Sequence, residues 1–151
     1  MTIEQLCSKA RSLHRQCGRI GLIVVEMDKL LYGSGEAATH SPALKELKLL
    51  AKELDTPIIV ISQLHVKTKK KKCKRPTIRD LQKSGITEQD ADMVLLLFRK
   101  HLYSRKAPTE EIAECIVLKQ RDGSSGTIKL AFMKDYMLFE SLADRQDLLR
   151  G

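Results

Sequence analysis

The chain has 151 residues, 42% of them apolar, which supports one compact domain with a real core and excludes general disorder. Its longest apolar runs, Gly21–Val25 and Met93–Phe98, fall well short of the roughly 18 residues of a membrane span, and the first residues lack the basic and apolar regions of a secretory leader. Net charge is +8, and seven of the positive charges sit in Lys67–Arg75, without which the balance falls to +1. A soluble, cytoplasmic protein with one strongly basic segment is expected.

Residues 2–17 carry Ile3, Leu6, Ala10, Leu13 and Cys17 at steps of three and four, which predicts a helix capped by Thr2 and stopped at Gly18. Ile20–Glu26 reads as a strand buried on both faces and ending in an acid. Tyr32–Ser41 is a loop rich in small residues, and Pro42–Leu54 is a helix with Leu44, Leu47, Leu50, Ala51 and Leu54 along one side. Pro57–Gln63 is a second buried strand with a polar end.

The basic loop, 65–76, follows. A block of like charges repels itself and is neutralised by a polyanion, and nucleic acid gains from counterion release. It contains no aromatic residue, so base stacking is not expected of it. Thr77–Lys83 then predicts a short helix, Ser84-Gly85 a turn, and Thr87 the cap of another helical turn containing Asp90. Asp92–Arg99 is a third buried strand and Lys100–Thr109 a polar loop. Glu111–Gln120 and Thr127–Phe132 flank Arg121–Gly126, the connection of a hairpin. Met137–Phe139 is a last short strand, and the charged tail, 141–151, closes the chain. The cysteines Cys7, Cys17, Cys73 and Cys115 are scattered, with no Cys-x-x-Cys pair, so they are expected to be reduced and structural.

The alternation of strands and helices predicts an α/β fold, mostly parallel, with a C-terminal antiparallel hairpin. Ligands in such sheets bind at the carboxyl ends of the strands. Glu26, Gln63, Arg99 and the Lys119–Arg121 pair all stand at strand ends.

Four blocks resemble one known family. Gly21–Glu26 (GLIVVE) resembles the Walker B strand of a RecA-like ATPase. Leu50–Leu64 (LAKELDTPIIVISQL) is similar to the helix–strand unit of DnaB-type replicative helicases. Arg75–Asp92 (RPTIRDLQKSGITEQDAD) looks like that family's long DNA-facing motif, and Lys119–Thr127 (KQRDGSSGT) like its hairpin. The four stand in the family's order and together span roughly residues 2–140.

The resemblance implies an incomplete RecA-like P-loop NTPase core over residues 1–140 and a role in ATP-driven DNA unwinding during replication. It implies a hexameric motor around single-stranded DNA, with ATP and Mg2+ between neighbouring subunits. Partners would be further copies or full-length helicase subunits and, at family level, primase and a helicase loader. Glu26 falls on the Walker B acid that holds Mg2+ through water, with glutamate in place of the family's aspartate. Gln63 falls on the glutamine that senses the nucleotide. Lys119 and Arg121 fall on the basic pair that reaches the next subunit's site, Arg121 as arginine finger. Gln82, Lys83 and Gly85 fall on the loop that contacts the DNA backbone, beside Lys69, Lys70, Lys71, Lys72, Lys74 and Arg75 of the basic block. Asp90 and Asp92 are expected to be caps and ion-pair partners.

The family's phosphate loop, Gly-x-x-x-x-Gly-Lys-Ser/Thr, has no counterpart in these 151 residues. ATP hydrolysis by this polypeptide alone is therefore not expected, and enzymatic status stays open. The alternative is a non-enzymatic, electrostatic nucleic-acid-binding module, or a subunit mimic that docks on a helicase ring.

Overall fold

The computed structural model describes residues 1–27, 41–64, 75–83, 85–86, 88–99 and 111–142. The loops expected near 32–40 and 100–109, Lys69–Lys72, Lys74, Ser84, Thr87 and the end of the tail lie outside the described residues. The elements run α1 (Ile3–Cys17), β1 (Ile23–Glu26), α2 (Ser41–Glu53), β2 (Ile58–Ile61), α3 (Ile78–Lys83), β3 (Met93–Arg99), β4 (Glu111–Gln120), β5 (Gly126–Met133) and β6 (Leu138–Ser141). Single 3-10 turns cover Glu88–Asp90 and Lys134–Tyr136. Two compact units emerge, Met1–His65 with Arg79–Ala91, and Val66–Ile78 with Asp92–Gly151.

In the first unit β1 and β2 pair in parallel, Ile23 opposite Ile58 and Glu26 opposite Ile61. Two strands alone are marginal, and here α1 and α2 supply the apolar cover. Thr2 begins α1 with a reciprocal capping box. The Gln5 backbone N–H donates to Thr2 Oγ1 at 3.3 Å, and the Thr2 N–H donates to Gln5 Oε1 at 3.0 Å. Gly18 ends the helix at φ +76, with its N–H on the His14 carbonyl.

The buried face of α1 is Leu6, Cys7 and Ala10, rotated from the expected stripe, since Leu13 and Cys17 are exposed. The first half of α1 meets the core, and there the small Cys7 fits against it. Burial pushes the Cys7 thiol pKa up, which keeps it protonated and unreactive. α2 follows its expected stripe, burying Ala43, Leu44, Leu47 and Leu50, with Leu54 buried just beyond its end. Pro42, in its first turn, removes an N–H that has no helical acceptor. The buried Thr56 hydroxyl lies 3.0 Å from the carbonyl oxygens of Ile20 and Leu54, fixing the entry to β2.

Arg11 on α1 grips Glu53 on α2 with two parallel hydrogen bonds of 2.8 Å. That contact holds the Glu53 pKa below the ordinary carboxylate range. Its stabilisation is therefore present above that range and is lost as pH falls through the lowered value.

The second unit is a four-stranded antiparallel sheet in the order β3-β4-β5-β6. The expected hairpin, β4–β5, is extended by a strand on each side. Pairing continues through Glu140 and Ser141, opposite Ala131 and Leu130, past the predicted end of the last strand at Phe139. Phe132 and Phe139 face each other with ring centroids 4.8 Å apart, and the Arg99 guanidinium lies 3.8 Å from the centre of the Phe132 ring.

One expectation fails in both units. The three apolar strands are not buried on both faces. Val24, Ile59 and Ile61 are exposed on one side of the parallel pair while Val25 is buried on the other. β3 alternates, with Val94, Leu96 and Phe98 buried and Met93, Leu95 and Leu97 exposed. A continuous apolar run lets both faces be covered, but does not itself provide the cover.

Leu50, completely buried, anchors the first unit's core, whereas its neighbour Leu49 is 67% exposed. Leu50→Ala is expected to destabilise by about 2–5 kcal/mol. Leu49→Ala should stay within about 0.5 kcal/mol. Urea unfolding followed by circular dichroism checks the pair, and equal effects would contradict this core.

Candidate nucleotide and DNA interface

Parallel pairing sets Glu26 at the carboxyl end of β1 opposite Ile61, two residues before Gln63. Both polar side chains are exposed, and they stand together at the carboxyl end of this sheet. The apolar side chains sharing the Glu26 face are Val24, Ile59 and Ile61, while Met27, the next residue, is fully buried. This locks the backbone just beyond the acid. An exposed carboxylate at a strand end suits a magnesium ion held mainly by phosphate and water oxygens. Among the described residues no group of three or more His, Cys, Asp or Glu gathers into a metal cage.

Lys119 and Arg121 flank Gln120 at the end of β4, in the second unit. Their placement follows from pairing with β3, where Met93 lies opposite Gln120 and Val94 opposite Lys119. Continuing that register by one residue sets Asp92 across from Arg121. Arg121 Nη2 is 2.8 Å from Asp92 Oδ1, both side chains being more than half exposed. Asp92 is thus the ion-pair partner expected of it. Asp90 is buried and accepts a 2.9 Å hydrogen bond from Ser41 Oγ at the first residue of α2. A carboxylate there also suits the helix dipole.

Gln82 and Lys83 are exposed on the last turn of α3, which is held by the buried Asp80 and Leu81. Gly85 follows at φ +75, and its N–H donates to the Gln82 carbonyl at 3.0 Å. The glycine therefore has a local reason to be there, the left-handed closure of α3, and its amide already has an acceptor.

Of the basic block, Arg75 is described, and it is bonded within its own unit. Arg75 Nε donates to Glu114 Oε2 at 2.6 Å and Nη2 to Thr127 Oγ1 at 2.9 Å. The sequence reading missed both partners. The available signal was an acid in the middle of an otherwise apolar strand.

Residues 1–141 match the DnaB-like helicase C-terminal domain. The chain belongs to the DnaB-like helicase family. It is 37% identical over 150 residues to the replicative DNA helicase DnaB of Geobacillus stearothermophilus, covering 96% of this chain and 33% of that one. It is 36% identical over 152 residues to the DnaB helicase of Pasteurella multocida, covering 98% and 32%. A solved ATPase domain superposes with a TM-score of 0.80 at 33% identity, over 94% of this chain and 52% of the other. A DnaB-like replicative helicase, described with its interactions with primase, gives 0.79 at 33%, over 94% and 36%. The chain spans about a third of the length of the curated DnaB relatives it matches. These likenesses bear out the RecA-like α/β fold expected from the four sequence blocks. No helix among the described residues is long and apolar enough to cross a membrane.

The left-handed backbone at Gly85 yields a direct test. Gly85→Ala is expected to cost about 1 kcal/mol. Gly85→Asn should cost less, because asparagine tolerates that region better. Thermal melts read the order of the two variants, and equal stability with wild type would refute the closure role.

Proposed function

We propose that this chain is the DNA-facing part of a replicative helicase motor and supplies the half of an ATP site that acts on a neighbouring subunit's nucleotide. The observation that carries the reading is the family match over residues 1–141. The basic pair Lys119 and Arg121 at one strand end supports it. In this reading the single-stranded DNA backbone is bound by Lys69, Lys70, Lys71, Lys72 and Lys74, and separately by Gln82, Lys83 and Gly85. Lysine suits this as a point charge for phosphate, independent of base sequence. Lys119 and Arg121 reach toward a phosphoryl group bound by the next subunit, where Arg121 stabilises developing charge. Glu26 and Gln63 form the magnesium and nucleotide-sensing corner. ATP, when bound, supplies the phosphoryl transfer that drives movement along DNA. The polypeptide carries no Gly-Lys-Ser/Thr sequence among these 151 residues, so the phosphate loop of the ATP site comes from outside them. It works with further copies or with full-length helicase subunits, and its partners at the fork include primase and a loader. The compartment is the cytoplasm.

A second reading, a non-enzymatic mimic that docks on a helicase ring, is favoured by the exposed apolar side chains Val24, Ile59 and Ile61. Contiguous apolar surface of this kind marks interaction sites.

Anisotropy of labelled oligo-dT across a potassium chloride series tests the DNA assignment. Wild type should bind with steep salt dependence and ignore ATP with magnesium. Changing Lys69–Lys72 and Lys74 to Gln should weaken binding by at least tenfold. It should also flatten the log–log salt slope by about 3.5, if each lysine neutralises one phosphate of a single strand. Unchanged affinity would remove the block from the binding surface.

A further inference from the structure

The basic block Lys67–Arg75 contains six lysines and one arginine, and that arginine is its last residue. An arginine fork can hold two acceptors in fixed geometry, which an ammonium cannot. Arg75 uses that property, with Nε on Glu114 of β4 and Nη2 on Thr127 of β5. The partners lie 39 and 52 residues away in sequence. They are brought together by the β4–β5 register, which sets Glu114 opposite Lys129 and Ile116 opposite Thr127. Glu114 and Thr127 are therefore diagonal neighbours on one face of the sheet. The Glu114 side chain is only 21% exposed and that of Arg75 42%, so the acid's side of the ion pair is partly shielded from water and salt. The next residue, Pro76, is buried, and proline holds the residue before it in an extended conformation.

We propose that Arg75, Glu114 and Thr127 form an anchor that fixes the C-terminal end of the basic segment to the four-stranded sheet. Arg75 is then a positioning residue for polyanion binding, and the phosphate contacts fall to the lysines before it. The effect on binding rests on the reading that this segment binds single-stranded DNA, while the anchor itself does not. Holding one end of the segment lowers the entropy lost when its lysines align on a phosphate chain.

Charge and anchoring predict opposite signs. Glu114→Gln raises the net charge by one, so electrostatics alone would tighten oligo-dT binding. The anchor predicts a three- to tenfold loss at fixed salt. Arg75→Lys keeps the charge but loses the fork, and should show the same loss. The double variant should be no weaker than either single one. A tighter Glu114→Gln complex, or an Arg75→Lys variant with wild-type affinity, overturns the proposal. Limited trypsin digestion is read in parallel, with melting temperature as the control for folding. Cleavage within Lys67–Lys74 should accelerate in both single variants. If wild type binds no oligo-dT but cleavage accelerates, the DNA reading falls and the anchor stands. Unchanged cleavage rates overturn the anchor whatever the binding result.

Discussion

The pairing of β3 with β4 is the constraint on which the second unit depends. Its register holds Met93 opposite Gln120, shifts between Val94 and Leu95, and then runs regularly to Arg99 opposite Ala113. Side chains alternate along a strand, so a slip of one residue would send every one to the other face. It would separate Asp92 from Arg121. The irregularity between Val94 and Leu95 lies next to the Lys119 position, and bulges commonly re-aim side chains beside functional sites. Apolar alternation in β3 selects this register. With Val94, Leu96 and Phe98 turned inward, their cross-strand neighbours Lys119, Ile116 and Glu114 share that face.

Arginine and lysine divide the positive charge by chemistry. Arg11, Arg75 and Arg121 each bond a carboxylate, Glu53, Glu114 and Asp92 respectively, at 2.6–2.8 Å. The first joins two helices, the second joins a chain segment to a sheet, and the third spans the end of two strands. Lysines make up the charge run at Lys67–Lys74. A flexible point charge serves a mobile polyanion without demanding one geometry. Seven of the positive charges, against a net charge of +8, lie in that run and the arginine that ends it.

Much of the first unit was legible. Thr2, Gly18 and the leucines of α2 act locally, through capping and helical periodicity, and a sequence window contains both partners of each such interaction. The hairpin was legible because Arg121–Gly126 separates two strand-forming runs. What escaped was non-local. One-sided burial of Val24, Ile59 and Leu97 depends on what packs on each face of a sheet, which an apolar run does not encode. Extension of the last strand through Ser141 depends on its match to Leu130, since the residues themselves are polar. In the candidate site, Glu26 and Gln63 were readable as polar ends of apolar strands, and Asp92 as an ion-pair partner. The reach of Arg75 across 39 residues to Glu114 was not readable, because only the register of β4 with β5 brings Thr127 beside that acid.

Burial separates two arginine–carboxylate pairs that are alike in bonding. The Arg121–Asp92 side chains are 60% and 52% exposed, in the range where an ion pair contributes about 0–1 kcal/mol. The Arg75–Glu114 side chains are 42% and 21% exposed, so water competes less for the second acid. An exposed pair of this kind exchanges its carboxylate for another anion at little cost, since a phosphate offers at least an equal charge-assisted bond, which fits the role proposed for Arg121. Asp92 holds the guanidinium over the end of its own sheet and narrows the orientations it samples. Releasing Arg75 would also uncover a carboxylate that the sheet partly screens, and would free the end of the basic segment. A residue proposed to act on a passing nucleotide thus stands in the exposed pair, and a residue proposed to hold a DNA-binding segment in place stands in the shielded one.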